Sequence, residues 1–297
     1  MIAQFALRLV SGISLTWLML PRSQITSGFF RIQSLLALAL GALGGITLGA
    51  AVFGLGQAPL LPASFLRGGC FVAAGLAYVS SVLWTLGRRR GGTVCLIAIA
   101  AISTGTLLAG SLSRESLTSG LSFLTAFSEL ATSLTIGGAT VGMLLGHWYL
   151  NTPTASGKPL EFVTILLVAG LLTELIFALL IGPSTAQHLP GAVTLVPGTT
   201  IHASGTGVVV TTPTPLHTPT GQPSTTASQK VAPIDTSAMV WLQFTMGIIS
   251  PLILGVVALW LTRGRSFQSA TGMLYLCMAF IFIGEILARG LMLLPVL

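Results

Sequence analysis

The chain has 297 residues, 53% of them hydrophobic and only 6% charged, with a mean hydropathy of +0.93. Water-soluble domains carry about 25% charged residues, so this composition excludes a solvent-facing globular surface and places the chain in a membrane. The net charge of +7 comes from only 13 Lys and Arg; they gather mostly in short loops, so the excess reads as topology and excludes nucleic acid as a partner.

About 20 apolar residues cross the hydrocarbon layer. On that measure eight spanning segments are expected, over about 3–20, 32–54, 64–86, 92–112, 119–149, 160–182, 237–261 and 268–293. The fold class is an all-α polytopic membrane protein. Residues 9–20 have the length of a signal-peptide core, but no basic region precedes them and no small-residue cleavage site follows, so they read as a retained first helix. Basic residues occupy every second loop: Arg22 and Arg31, then Arg88, Arg89 and Arg90, then Lys158, then Arg263 and Arg265. The positive-inside rule puts these loops in the cytoplasm and both termini outside. The expected location is a bacterial inner (cytoplasmic) membrane, with lipid around the helices.

Small residues suggest how the helices pack. Gly41, Gly45 and Gly49 repeat every fourth position in the second segment, and Gly138, Gly142 and Gly146 do so in the fifth. Such grooves let backbones approach in lipid, where association depends on close packing; the second and fifth helices are expected to make the closest contact. The fifth segment ends in His147, Trp148 and Tyr149, side chains suited to a headgroup interface.

An internal duplication is also legible. TWLMLPRSQITSGFFRIQSLLALAL (16–40) resembles HWYLNTPTASGKPLEFVTILLVAGL (147–171), and LWTLGRRRG (83–91) resembles LWLTRGRS (259–266). Helices 1–4 would then repeat as helices 5–8 in the same orientation, giving four-helix units at 1–115 and 116–297. The second unit holds a Thr-, Pro- and Gly-rich outer loop at 183–236, a composition that stays irregular. Within it, VTLVPGTTIHASGTGVVVTT suits a small hairpin. His188, His202 and His217 lie in this loop without metal-ligand spacing.

Cys70, Cys95 and Cys277 show no paired spacing, which argues against structural zinc, iron–sulfur ligation and attached c-type haem. A b-type haem needs two helix histidines, and only His147 lies on a spanning helix. No Walker loop, GxSxG or HExxH is present. No metal, haem or covalently bound cofactor is expected.

Three of the six acidic residues lie inside spans: Glu129, Glu174 and Glu285. A carboxylate at the centre of a spanning helix costs roughly 2.5 kcal/mol or more, which makes each a functional hypothesis. Counted along the helices at 1.5 Å per residue, all three fall about 13 Å below the outer boundary, so one shared polar site is expected. Arg289 follows Glu285 by four residues and can face it. Ser122, Thr125, Thr132 and Ser133 share a helix face with Glu129, whereas Glu174 has only Thr173 beside it. Two readings stand together. The glutamates tie helices and fix their packing, or Glu129, Glu174, Glu285 and Arg289 form a proton relay; an ion or solute pathway is the third.

Eight helices, outer termini, a four-plus-four arrangement and no haem resemble the quinol-interacting membrane anchors of the polysulfide reductase and dimethyl sulfoxide reductase type (NrfD-like). Locally the resemblance rests on FTMGIISPLILGVVALWL followed by MLYLCMAFIFIGEILARGLML, where Gly284, Glu285 and Arg289 are similar to the end of those anchors. It implies a membrane subunit, without a redox centre of its own, in a respiratory or photosynthetic electron-transfer complex. Partner subunits would carry the redox groups and quinone would be the candidate ligand. In that family the quinone pocket is associated with the first four helices, which here hold no intramembrane carboxylate or His; this moves the expectation away from quinone binding and toward a proton-pathway or scaffold role. The alternatives are a non-catalytic scaffold subunit of a large complex and a small ion or solute transporter. A transporter would need broken helices, and Pro251 marks only one.

Overall fold

The structure is a computed structural model of the chain, and it describes residues 2–48, 61–112, 122–151, 157–181, 200–204, 207–211 and 241–291. Eight helices among these residues are long and apolar enough to cross a membrane. They are α1 (Ile2–Met19), α2 (Ser27–Thr47), α3 (Ala63–Thr85), α4 (Arg89–Ser111), α5 (Ser122–Asn151), α6 (Lys158–Ile181), α7 (Trp241–Arg263) and α8 (Phe267–Leu291). The last stretch expected of the second helix, with Gly49, lies outside the described residues, as does most of the long loop. Within that loop β1 (Thr200–Ser204) pairs antiparallel with β2 (Gly207–Thr211), Ser204 opposite Gly207.

Two four-helix rings make up the molecule. In the first, α1 packs on α2, α2 on α3, α3 on α4 and α4 back on α1; in the second, α5, α6, α7 and α8 follow the same cyclic order. The rings meet mainly along α1 and α5. That position shows in burial: 61% of the α1 span and 72% of the α5 span are enclosed, against 17% of α7. Leu7, Ile13 and Trp17 of α1 and Ile136 and Leu145 of α5 are almost wholly buried.

The closest backbone approach is therefore α1 to α5, which corrects the expected pairing of the second and fifth helices. A Cβ on Gly12 would stand 1.7 Å from the Ser133 carbonyl oxygen, and one on Gly137 2.0 Å from the Gly12 carbonyl carbon. The α2 glycines are used on the neighbouring helix instead: Gly41 meets Cys70 and Ala74 of α3, and Gly45 meets the Phe71 ring. Gly12 escaped notice because a single glycine has no repeat; its partner groove is formed by Ser133 and Gly137 at four-residue spacing. The α5 glycines behave as a groove for two helices, Gly138 against Leu167 of α6 and Gly146 against Thr271 of α8. Gly12→Ala is expected to force the two rings apart and destabilise the protein by about 2 kcal/mol or more. A drop in melting temperature in detergent would reveal it. Gly105→Ala, whose new Cβ meets nothing within 4 Å, is the control that leaves melting unchanged or raised.

The turns α3–α4 and α7–α8 end their helices the same way. After α3 the Arg88 N–H reaches the Leu83 carbonyl at 2.9 Å; after α7 the Ser266 N–H reaches Leu261 at 3.0 Å and the Arg265 N–H reaches Thr262 at 3.1 Å. The bonds to Leu83 and Leu261 are the six-to-one bonds of a Schellman motif, with Arg265 to Thr262 its inner bond, and they need a left-handed residue just past the helix. Gly87 supplies it in the first turn at φ 68°, but in the second Arg265 does so at φ 58°, Gly264 having fallen one residue early. Arg265→Gly should raise stability by about 1 kcal/mol, the cost of that conformation for a residue with a Cβ; equilibrium unfolding would measure it.

Pro251 perturbs α7 without ending it. Having no N–H, it drops a helical hydrogen bond, and the preceding residues Thr245–Ile249 widen into a π-turn. The Ser250 N–H bonds back to the Thr245 carbonyl. The widened turn lies against α8, where a Cβ on Gly284 would come within 2.2 Å of the Gly247 Cα.

Candidate functional site

Arg8 of α1 organises the site. Its Nε donates to Glu129 Oε2 at 2.7 Å, its second terminal nitrogen binds Glu129 Oε1, and the first binds Glu285 Oε1. One guanidinium thus holds Glu129 through both oxygens and Glu285 through one, the fork geometry that makes Arg suited to buried carboxylates. The side chains are 14%, 12% and 9% exposed for Arg8, Glu129 and Glu285 in the isolated protein, and lipid around the bundle removes more water still.

The helix crossing explains the register. Arg8 and Glu129 each lie four residues, about one turn, before Gly12 and Ser133, where α1 and α5 touch. The Ser133 hydroxyl donates to the Glu129 carbonyl at 2.7 Å, fixing that turn of α5. On the α8 side Phe282 packs edge-on against Phe5, with ring centroids 5.2 Å apart. Gly284, next to Glu285, is the residue pressed on the π-turn of α7. The only π-turn among the described residues therefore lies beside the site, where such turns recur.

Glu174 of α6 enters from the other side. Its carboxyl sits against the hydroxyls of Thr132 and Thr135, within electrostatic reach of Glu285 and Arg8. Thr135 gives its hydroxyl proton to the Ala131 carbonyl at 3.0 Å. The approach depends on Gly170, whose absent Cβ would lie 2.7 Å from Thr135 Oγ1. Glu174 Oε1 is buried and has no hydrogen-bond partner among the described residues.

The structure thus brings Glu129 and Glu285 onto Arg8 and Glu174 within electrostatic reach of Glu285 and Arg8. The Arg289 backbone is in α8, but its side chain lies outside the described residues, as do those of Ser122 and Thr125. Thr173 turns to its own helix, bonding the Ala169 carbonyl at 2.8 Å, and the support expected from it for Glu174 comes instead from α5. Sequence reasoning missed Arg8. Its signal was available: a lone Arg at the seventh position of an otherwise apolar 18-residue helix is as expensive in lipid as a lone Glu.

Elsewhere, His147 is exposed and Tyr149 is buried, stacked on Phe267 at 5.7 Å. His188 and His217 lie outside the described residues, as does the His202 side chain. Among the described residues no group of three His, Cys, Asp or Glu is placed to hold a metal ion.

Compared with protein-family models, with curated proteins and with solved structures, the chain matches none.

Proposed function

We propose that this chain is an integral membrane subunit that relays protons through the Arg8–Glu129–Glu285 cluster and Glu174, within an electron-transfer complex whose redox centres belong to partner subunits. The observation that carries the reading is the surplus of carboxyls. Two of them bind one guanidinium, and a third, Glu174, lies within its electrostatic reach and presents a buried oxygen with no partner among the described residues. A surplus of this kind lets a site take up and release protons, and intramembrane acids mark proton relays. With the basic loops facing the cytoplasm, the cluster lies toward the outer leaflet. Quinol oxidised there would release protons to Glu129 or Glu174, while Arg8 holds the pair in place. The shared cyclic order of the two rings supports a parallel four-plus-four duplication, as in the polysulfide-reductase-type anchors the sequence resembles.

A scaffold subunit is the second reading, favoured by the hold of Arg8 on two helices at once. The test is proton movement in lipid vesicles carrying the purified protein. An imposed pH gradient, followed with an entrapped dye, should collapse faster than in protein-free vesicles. A gradient that persists equally in both would leave only the scaffold.

A further inference from the structure

The acid cluster lies in one half of the bundle, so a relay needs a route across the rest of the membrane. We infer that this route is a hydrated row of polar side chains along α1, running from Arg8 through Ser11 and Ser14 to a water-holding site at Trp17 and Gln33. The inference rests on the proton-relay reading and supplies its path.

Arg8, Ser11, Ser14 and Trp17 follow one another at three-residue spacing. Each step turns the row by about 60°, so it winds from α5 past α4 toward α2. The Ser11 hydroxyl meets Thr104 of α4 at 2.8 Å, and Ser14 Oγ stands 3.5 Å from Ser103 Oγ. Both serines of α1 and Ser103 are fully buried.

Beyond Ser14 the row reaches groups with no hydrogen-bond partner among the described residues. Gln33 is 1% exposed, yet neither its Nε2 nor its Oε1 has a partner among the described residues; the indole N–H of Trp17, 0% exposed, has none either. The helix registers put these two at one level of the first ring. A Cβ on Gly44 would lie 3.7 Å from Ala6 Cβ and 3.6 Å from Cys70 Sγ, so Gly44 faces both α1 and α3. Eleven residues are about three turns and return to the same face. Trp17 is eleven past Ala6, Ser81 eleven past Cys70, and Gln33 eleven before Gly44, on a helix that runs the other way. All three therefore share one level in the interior of the first ring. Ser34 bonded to Ser80 at 3.0 Å and Phe30 stacked on Trp84 at 4.6 Å fix the same α2–α3 register.

Buried polar groups in proteins are almost always satisfied, and where side chains leave them open the usual partner is an internal water. Gln33 offers two donors and an acceptor, and Trp17 one donor, enough for a water to be held at three points. From Arg8 to Trp17 is nine residues, about 13–14 Å of membrane thickness. The Arg22 guanidinium, which bonds the Leu18 carbonyl at 3.1 Å and keeps its Nε buried without a partner among the described residues, continues the row to the basic end.

Radiolytic footprinting of the protein in vesicles tests this directly, because hydroxyl radicals made from water mark only side chains with water beside them. Trp17 is expected to be oxidised in the wild type, at least fivefold less in Gln33→Leu, a substitution of similar volume. In the dye assay Gln33→Leu and Ser14→Ala should each slow proton movement at least tenfold while melting as the wild type does. An unmarked Trp17 in the wild type overturns the hydrated row whatever the flux. Flux that Glu174→Gln abolishes and Gln33→Leu leaves intact overturns the route alone. Wild-type vesicles without flux remove the relay and its route together.

Discussion

Replacing Arg8 by leucine is expected to destabilise the protein by about 3–5 kcal/mol, enough to abolish a monodisperse preparation in mild detergent. The change leaves Glu129 and Glu285 inside the bundle without their shared cation, and removing one partner of a buried charge cluster costs far more than the cluster contributes when intact. Arg8→Lys should recover only part of the loss. An ammonium cannot grip Glu129 through both oxygens while also reaching Glu285. The triple variant Arg8→Leu, Glu129→Gln, Glu285→Gln should be markedly more stable than Arg8→Leu alone, because it removes the stranded charges together with the cation. Thermal melting of the four proteins side by side is the measurement. Arg8→Leu melting with the wild type would remove the cluster from the account of stability.

Glu174→Gln should behave in the opposite manner. The amide fits the same space and can accept from Thr132, so melting should shift by less than about 1 kcal/mol. Proton movement in vesicles should fall at least tenfold, since an amide cannot take and return a proton at this position. Glu174→Asp, which keeps the chemistry one methylene further away, should retain an intermediate rate. The contrast between Arg8→Leu and Glu174→Gln separates a group that builds the site from one that works in it.

The sequence carried the broad outline because its physics is local. Run length and charge alone determine that a segment can lie in lipid, so all eight helices could be read from composition and loop arginines. The level of Glu129, Glu174 and Glu285 was legible for the same reason, since helical rise converts residue counts into depth. Their partner was not legible. Arg8 is 121 residues from Glu129 and 277 from Glu285, and nothing local says which helices become neighbours. The local pairing rule considers only one helix at a time, so it offers Arg289, whose side chain lies outside the described residues, and cannot offer Arg8. The Gly12 crossing was hidden likewise: repeating glycines advertise a groove, but a lone glycine becomes decisive only when another backbone arrives. Arg265 in a left-handed turn and the π-turn before Pro251 are outcomes of packing that residue type does not announce.

The central claim is that the Glu174 carboxyl, within electrostatic reach of Arg8, exchanges a proton with water from inside the membrane. Infrared difference spectra of the protein in vesicles, recorded between acidic and alkaline buffer in H2O and in D2O, test it most directly. The account predicts a protonated-carboxyl stretching band that changes with pH, shifts in D2O and disappears in Glu174→Gln. A spectrum without a carboxyl band, or one identical in the wild type and Glu174→Gln, would contradict it.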